Sequence, residues 1–212
     1  MTKTSEASVR GARVLDEVIP SRPSRAELYV MGRQLRAKFP RRSHAEWKPS
    51  KGRIEPLALI KKSDEGRLPE LVPIRHGRMF ESPFTFFRGA ALNMASDLAT
   101  TPVTGARVQA CGDAHLLNFG VYATPERRLP FDVNDLDETL PAPWEWDVKR
   151  LATSFVLASR SNRLTEVDAR DAALACVRSY REHMAEFSRM PALGVWYASL
   201  DVEDVLTADK GP

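Results

Sequence analysis

The stretch VQACGDAHLLNFGVY, residues 108–122, constrains the fold more than any other part of the chain. Two β-like runs, 108–111 and 119–122, flank a short polar turn. The turn holds an acid, an imidazole and an amide, contributed by Asp113, His115 and Asn118. Loops that a rigid scaffold positions carry function more often than they serve as plain connections. The stretch therefore predicts a functional loop held between two strands.

Apolar periodicity predicts the elements around this loop. Residues 119–133 show the alternation of a β-hairpin, with its turn at 124–128. Helical spacing predicts a helix over 24–39, one buried helix over 82–98 that begins at the N-cap Ser82, a helix from about Pro143 after a proline-rich loop, and a long helix over 165–190. The apolar face of the first helix is predicted at Leu28, Met31, Leu35 and Phe39, and Gly89 predicts a close approach by another segment. These patterns predict an α+β fold, mostly helical, with a small β-hairpin sheet carrying the site.

Composition limits the class of protein. The chain has 212 residues, of which 43% are hydrophobic and 28% charged, an ordinary globular balance. We expect a mobile arm over residues 1–24 and one domain over 25–212. The net charge of +3 is too weak and too evenly interleaved to favour a nucleic-acid partner. No apolar run has the length of a signal peptide or of a membrane span, so the expected location is the cytoplasm.

Four polar residues follow one another at spacings that suit phosphoryl transfer. Asp113 precedes Asn118 by five residues, and Asp147 follows Asp135 by twelve residues in the first turn of a predicted helix. Phosphoryl transfer needs a carboxylate to orient the attacking hydroxyl and oxygen ligands to hold magnesium against the phosphates. We assign the first role to Asp113 and the metal roles to Asn118 and Asp135. Asp147 is expected to accept hydrogen bonds from the loop amides.

Further candidates surround this group. Asp137 is a further metal-ligand candidate, and His115 is placed beside Asp113 among the catalytic candidates, in a supporting role. Arg88 is a candidate contact to a phosphate or an acidic substrate. Each has an alternative: turn acids and hydrogen-bonded histidines are common structural features, and an arginine among aromatic residues often forms a salt bridge or a cation–π contact. Lys149 and Arg150 are predicted to form a helix face.

The segment GDAHLLN resembles the catalytic loop of the protein-kinase-like superfamily in its aminoglycoside-phosphotransferase form, His-Gly-Asp-x-x-x-x-Asn. VNDLDETLPAPWEWDVKRLA resembles that superfamily's next block, a magnesium-binding Asp followed by a helix that begins with an Asp. Aligning Asp147 with the helix Asp favours Asp135 as the metal ligand. The resemblance implies Mg²⁺ and ATP as cofactors. Cys111 stands where the superfamily has His, and the interval from Asn118 to Asp135 is longer than usual.

A longer resemblance is to a bacterial family known as domain of unknown function 2252. RHGRMFESPFTFFRGAALNMASDLA, VQACGDAHLLNFG and FDVNDLDETLPAPWEWDVKRLA look like its characteristic blocks. Members of that family continue into a later half with a glycine-rich segment and a Lys-Glu-Ala segment, neither of which occurs here. The resemblance therefore implies that this chain is the N-terminal half of a member, with a C-terminal half as one expected partner.

Three functions remain open. The first is a Mg-ATP-dependent phosphotransferase acting on an unidentified small-molecule or protein acceptor. The second is a kinase-like fragment that binds a partner and does no chemistry, because the glycine-rich loop and its lysine are absent. The third is a metal-dependent phosphoesterase, because Asp113 and His115 form an Asp-x-His pair.

Overall fold

The computed structural model describes residues 23–203 and residue 206. The predicted arm at 1–24 lies almost entirely outside the described residues. In chain order the described residues form α1 (Arg25–Lys38), a 3₁₀ turn (Arg41–Ala45), α2 (Pro56–Ser63), α3 (Val72–Met79), α4 (Pro83–Arg88), α5 (Ala91–Leu98), β1 (Arg107–Ala110), a second 3₁₀ turn (Leu116–Asn118), β2 (Phe119–Val121), β3 (Phe131–Val133), β4 (Leu140–Pro143), α6 (Trp144–Ser161), α7 (Glu166–Phe187) and α8 (Ala192–Trp196). The predicted α+β class is confirmed. No helix in the described part of the chain is both long and apolar enough to span a membrane.

The strands form two separate two-stranded antiparallel sheets instead of the single hairpin sheet that the sequence predicts. The predicted hairpin is present as β2 and β3, with Phe119 opposite Val133. The second sheet pairs β1 with β4, so the predicted proline-rich loop is wrong in part: Ala110 lies opposite Leu140 and Val108 opposite Ala142. Proline removes a ladder donor and is tolerated on edge strands, and a two-stranded sheet has only edges. The two strands beside the functional loop thus belong to different sheets.

The predicted buried helix over 82–98 is two helices, α4 and α5, with a break at Gly89 and Ala90. Ser82 caps α4 as predicted, because its side chain accepts a hydrogen bond from the Thr85 amide. The predicted close approach at Gly89 is also confirmed, since a Cβ at this position would lie 2.6 Å from Met79 Sδ. The sulfur of α3 therefore occupies the space that a side chain would need, and the helix is interrupted at that point.

The long helices α6 and α7 form an antiparallel helical hairpin, and α6 also contacts α4, α5, β1 and the second 3₁₀ turn. Thr165 and Asp168 form the predicted capping box at the start of α7. Trp144, at the start of α6, stacks on Tyr180 of α7 with ring centroids 5.8 Å apart. Helix α6 is therefore the element that connects the helical layer to the functional loop.

The hydrophobic core is small. Among the described residues, the buried leucine, isoleucine and methionine side chains are Leu59, Ile60, Met79 and Leu98. The predicted first helix is present as α1, but its apolar face is not buried: no residue of that helix is buried, and Leu28 is 52% exposed. Amphipathic spacing identifies a face that is able to pack, but packing also requires a second apolar surface. Among the residues that the structure describes, no second apolar surface covers α1.

Candidate functional site

The functional loop runs from the end of β1 to the start of β2, and the first turn of α6 holds its entry. Gly112 has a φ of 80°, in the left-handed region that favours glycine. The Asp147 carboxylate accepts hydrogen bonds from the Cys111 amide at 2.7 Å and from the Gly112 amide at 3.1 Å. Two backbone donors just beyond the end of β1 are thereby satisfied by one side chain, and the loop has a defined starting geometry.

Asn118 ties the two acid-bearing segments together. Its side chain is buried, and Nδ2 donates to the carbonyl oxygens of Asp113 at 3.2 Å and Asp135 at 3.0 Å. Within the described part of the chain, no hydrogen bond reaches its Oδ1. The side-chain amide thus uses its nitrogen to join the loop to the end of the hairpin, and its oxygen remains able to accept a hydrogen bond or to coordinate a cation.

The Asp113 carboxylate is paired with a buried cation. Arg150 of α6 is 2% exposed, and its Nε donates to Asp113 Oδ1 at 2.8 Å, while its Nη2 donates to the same oxygen. Burial raises the pKa of Asp113 above its ordinary value, against the lowering effect of the Arg150 charge and hydrogen bonds. The nearby charge of Asp135 also raises this pKa, and that of Arg88 lowers it. The acid is therefore part of a group of interacting charges.

His115 lies beside this pair. Its Nε2 is 3.6 Å from Asp113 Oδ2, and its buried Nδ1 has no hydrogen-bond partner within the described residues. Burial lowers the pKa of His115 to about 4, and the positive charges of Arg150 and Arg88 act in the same direction. The imidazole is consequently neutral at physiological pH.

Arg88 lies at the end of α4 with its side chain exposed to solvent. Its charge is close enough to lower the pKa of both Asp113 and His115. In the described part of the chain its guanidinium forms no hydrogen bond or ion pair. The candidate site therefore contains two cations. Arg150 is paired with an acid, and Arg88 faces solvent.

The acids of the hairpin end are exposed. Asp135 Oδ1 accepts a hydrogen bond from the Asp137 amide at 3.0 Å, which closes a short turn and leaves Oδ2 without a partner among the described residues. The charge of Asp135 raises the pKa of Asp113, so these two carboxylates lie near each other, whereas nothing comparable connects Asp137 to the loop. In the part of the chain that the structure describes, no three His, Cys, Asp or Glu side chains form a group that could hold a metal ion.

The match to a known family covers this whole site. A family profile described as an uncharacterized protein conserved in bacteria (DUF2252) matches residues 67–211. The chain belongs to this family. Comparison with curated proteins and with solved structures gives no match.

Two residues within the DUF2252 region contribute to the site without having been predicted. Arg150 was predicted to form a helix face with Lys149; it does lie on α6, but its side chain is buried against Asp113. Ser154, one turn further along α6, is fully buried and its Oγ accepts a hydrogen bond from the Leu116 amide at 2.9 Å. The only sequence signal was their spacing of three and seven residues from Asp147, which places all three on one side of α6.

Proposed function

We propose that this chain carries the catalytic loop of a kinase-like phosphotransferase that uses Mg²⁺ and ATP to phosphorylate a hydroxyl-bearing acceptor. In this proposal Asp113 orients the hydroxyl, and Asn118 and Asp135 are the metal ligands. Asp137 is a further candidate ligand, Arg88 contacts a phosphate, and His115 supports Asp113. The observation that carries the proposal is the bridge from the Asn118 amide to the carbonyl groups of Asp113 and Asp135. This bridge keeps the proposed acceptor side and the proposed metal side of the site in register.

The donor set fits magnesium. Mg²⁺ prefers oxygen ligands and is commonly bound by one or two carboxylates, with waters and substrate phosphates completing the octahedron. Asn118 Oδ1 and the Asp135 carboxylate are oxygen ligands on two residues that the Asn118 bridge joins, so a larger cluster of protein ligands is not required. When bound, magnesium would neutralise charge on the phosphates. Arg88, exposed and without an acidic partner in the described residues, suits contact with the remaining phosphate charge.

The neutral state of His115 also suits this role. A protonated imidazole at 3.6 Å would form an ion pair with the Asp113 carboxylate and compete with the acceptor hydroxyl for it. A neutral ring does not form that ion pair. Asp147 holds the entry of the loop, so that the direction of the Asp113 side chain depends on backbone geometry that is already set. Positioning and charge stabilisation account for nearly all protein-derived catalysis in this class of reaction.

Thermal unfolding with and without Mg²⁺ and ATP tests the proposal. We expect ATP with magnesium to raise the melting temperature of the wild-type chain, and the rise to be lost in Asp135→Ala. A ligand at about 100 times its Kd stabilises the folded state by about 2.7 kcal/mol. Asp132→Ala is the matched control, because Asp132 is an exposed acid of the same hairpin whose carboxylate, within the described part of the chain, bonds only its neighbour's amide. Absence of a rise in wild type, or an equal rise in Asp135→Ala, would contradict the proposed metal–nucleotide site.

A second candidate function is partner binding without chemistry. It is favoured by the small core and by the exposure of large apolar side chains along the long helix α7, among them Val167 at 66% and Leu174 at 49%. Contiguous exposed apolar surface marks interaction sites in soluble proteins. Binding of a hydrophobic dye by the isolated chain tests this candidate, and a monomer that binds no dye would count against it.

A further inference from the structure

Arg150 connects the Asp113 carboxylate to three helices. Its guanidinium is carried by α6, and Nη2 donates to the Phe87 carbonyl of α4 at 2.8 Å as well as to Asp113 Oδ1. The guanidinium carbon lies 4.3 Å from the centroid of the Phe87 ring, and Nη1 is 3.8 Å from Met94 Sδ of α5. A planar cation that is stacked on one face and hydrogen-bonded at its edge has little freedom to rotate.

The contact with Asp113 is asymmetric. Both Nε and Nη2 donate to Oδ1, and neither donates to Oδ2. The carboxylate is therefore held through one oxygen, whereas the usual fork arrangement of Arg and a carboxylate engages both. Oδ2 faces His115 Nε2 at 3.6 Å, which is too long for a strong hydrogen bond. The Asp113 side chain keeps 22% of its surface exposed, while that of Arg150 keeps 3%.

We propose that Arg150 is the positioning residue of Asp113: it holds Oδ1 in a fixed place and leaves Oδ2 as the oxygen that accepts the hydrogen bond of the acceptor hydroxyl. This inference rests on the proposed phosphotransferase function and extends it to one atom. Arg150 touches neither substrate nor metal in this arrangement. Its contribution is the direction of the carboxylate, which the Phe87 carbonyl and ring set through the guanidinium.

A structural ion pair and a positioning residue differ in what a lysine at position 150 would do. Lysine keeps the positive charge but replaces the planar fork by one ammonium group, so it cannot donate to Asp113 and Phe87 in the same plane. A role limited to charge compensation would survive Arg150→Lys. A positioning role would not, because misplacement of a reacting group by about 1 Å costs roughly 100-fold in rate.

Steady-state turnover of Mg-ATP to ADP by the full chain, with water in place of the unidentified acceptor, tests the inference. We expect Arg150→Lys to lower kcat by roughly 10- to 100-fold and to leave the KM for ATP within about twofold of wild type. Arg150→Ala should lose at least as much kcat. Lys149→Ala is the matched control, because Lys149 is the adjacent cation of α6, donates to Thr101 Oγ1 at 3.2 Å and makes no contact with Asp113.

The outcomes separate this inference from the proposed function. Turnover in wild type with an unchanged kcat in Arg150→Lys would overturn the positioning role and leave the phosphotransferase proposal standing. A rise in KM with kcat unchanged would do the same. A wild-type chain without turnover and without a melting-temperature shift on Mg-ATP would overturn both.

The melting temperature of each variant is measured alongside, and rates are compared well below it. Should Arg150→Ala fail to fold, Arg150→Lys, which keeps the charge, decides the question.

Discussion

Asp113 and Asp135 are both acids of the candidate site, but their environments predict losses of stability of different size. Asp113→Ala leaves the buried guanidinium of Arg150 without its counter-charge, and we expect a loss on the order of 3 kcal/mol in the free energy of unfolding. Asp135→Ala removes an exposed side chain with one turn hydrogen bond, at a cost of about 1 kcal/mol or less. Urea unfolding of both variants measures the difference. Equal losses would mean that Arg150 is accommodated without Asp113.

The buried neutral imidazole of His115 predicts a pH dependence of stability. Because its pKa is lowered from 6.5 to about 4 in the folded chain, the unfolded state binds more protons between these values. The contribution of His115 is therefore fully present above pH 6.5 and is lost as the pH falls through about 4. The full effect is on the order of 3 kcal/mol.

Urea unfolding from about pH 7 to about pH 4 measures this effect in wild type and in His115→Gln. The glutamine variant should lose the part of the pH dependence that His115 contributes, while the other histidines and the acids contribute equally to both proteins. Identical pH profiles would show that the pKa of His115 is the same in the folded and the unfolded chain, which would contradict the lowered pKa.

Sequence reasoning located the loop and its Asp147 support because the residue types and their spacing are local signals. It missed Arg150, since a charged residue beside Lys149 on a helix normally points to solvent. Only the packing of α4 and the loop against α6 makes this arginine a buried partner of Asp113. The functions of Asp113, Asn118 and Asp135 stay predictions, because the positions of these side chains do not show which ligand they bind.

At the scale of elements, the junction between β1 and the loop depends on a glycine. A Cβ at Gly112 would collide with the backbone carbonyl of Glu138, and the residue has positive φ. Gly112→Ala should therefore cost more than the roughly 1–3 kcal/mol of backbone strain alone. Gly105→Ala is the matched control, since Gly105 has a φ of 87° and no neighbour within 4 Å of its Cβ position. Denaturant midpoints of the two variants measure the difference, and equal midpoints would contradict the close approach of Glu138.

Elements with a strong local pattern were predictable, and those that depend on a distant partner were not. The apolar alternation around Phe131 is a local signal, and the hairpin forms where it predicts. The N-caps Ser82 and Thr165 are local signals too, and a helix starts after each of them. Strand β4 was missed because two prolines in Leu140–Pro143 oppose a strand, and only its pairing with β1 overrides that preference. The break between α4 and α5 was missed because a single glycine inside a helical spacing is compatible with a continuous helix, so Gly89 did not mark an end.

At the scale of the whole molecule, exposed apolar surface predicts association. Along α7, Leu174, Val177 and Met184 are all more than two-fifths exposed. We expect the isolated chain to bind a hydrophobic dye, and the double variant Leu174→Gln, Met184→Gln to bind clearly less. Arg178→Gln is the matched control, as a polar replacement on the same helix that leaves the apolar side chains unchanged. Equal dye fluorescence in all three proteins would place the binding surface away from α7.

The pairing of β1 with β4 has a kinetic consequence. These two strands enclose the β2–β3 hairpin in the sequence, so the outer pair is the less local of the two. Closing a longer loop costs more chain entropy, and contacts of low sequence separation form earlier in folding. Asp147 follows β4 directly, and its bonds to Cys111 and Gly112 connect the same distant segments as the outer pair. We therefore expect the β2–β3 hairpin to form before the outer strand pair and before the loop entry that Asp147 holds.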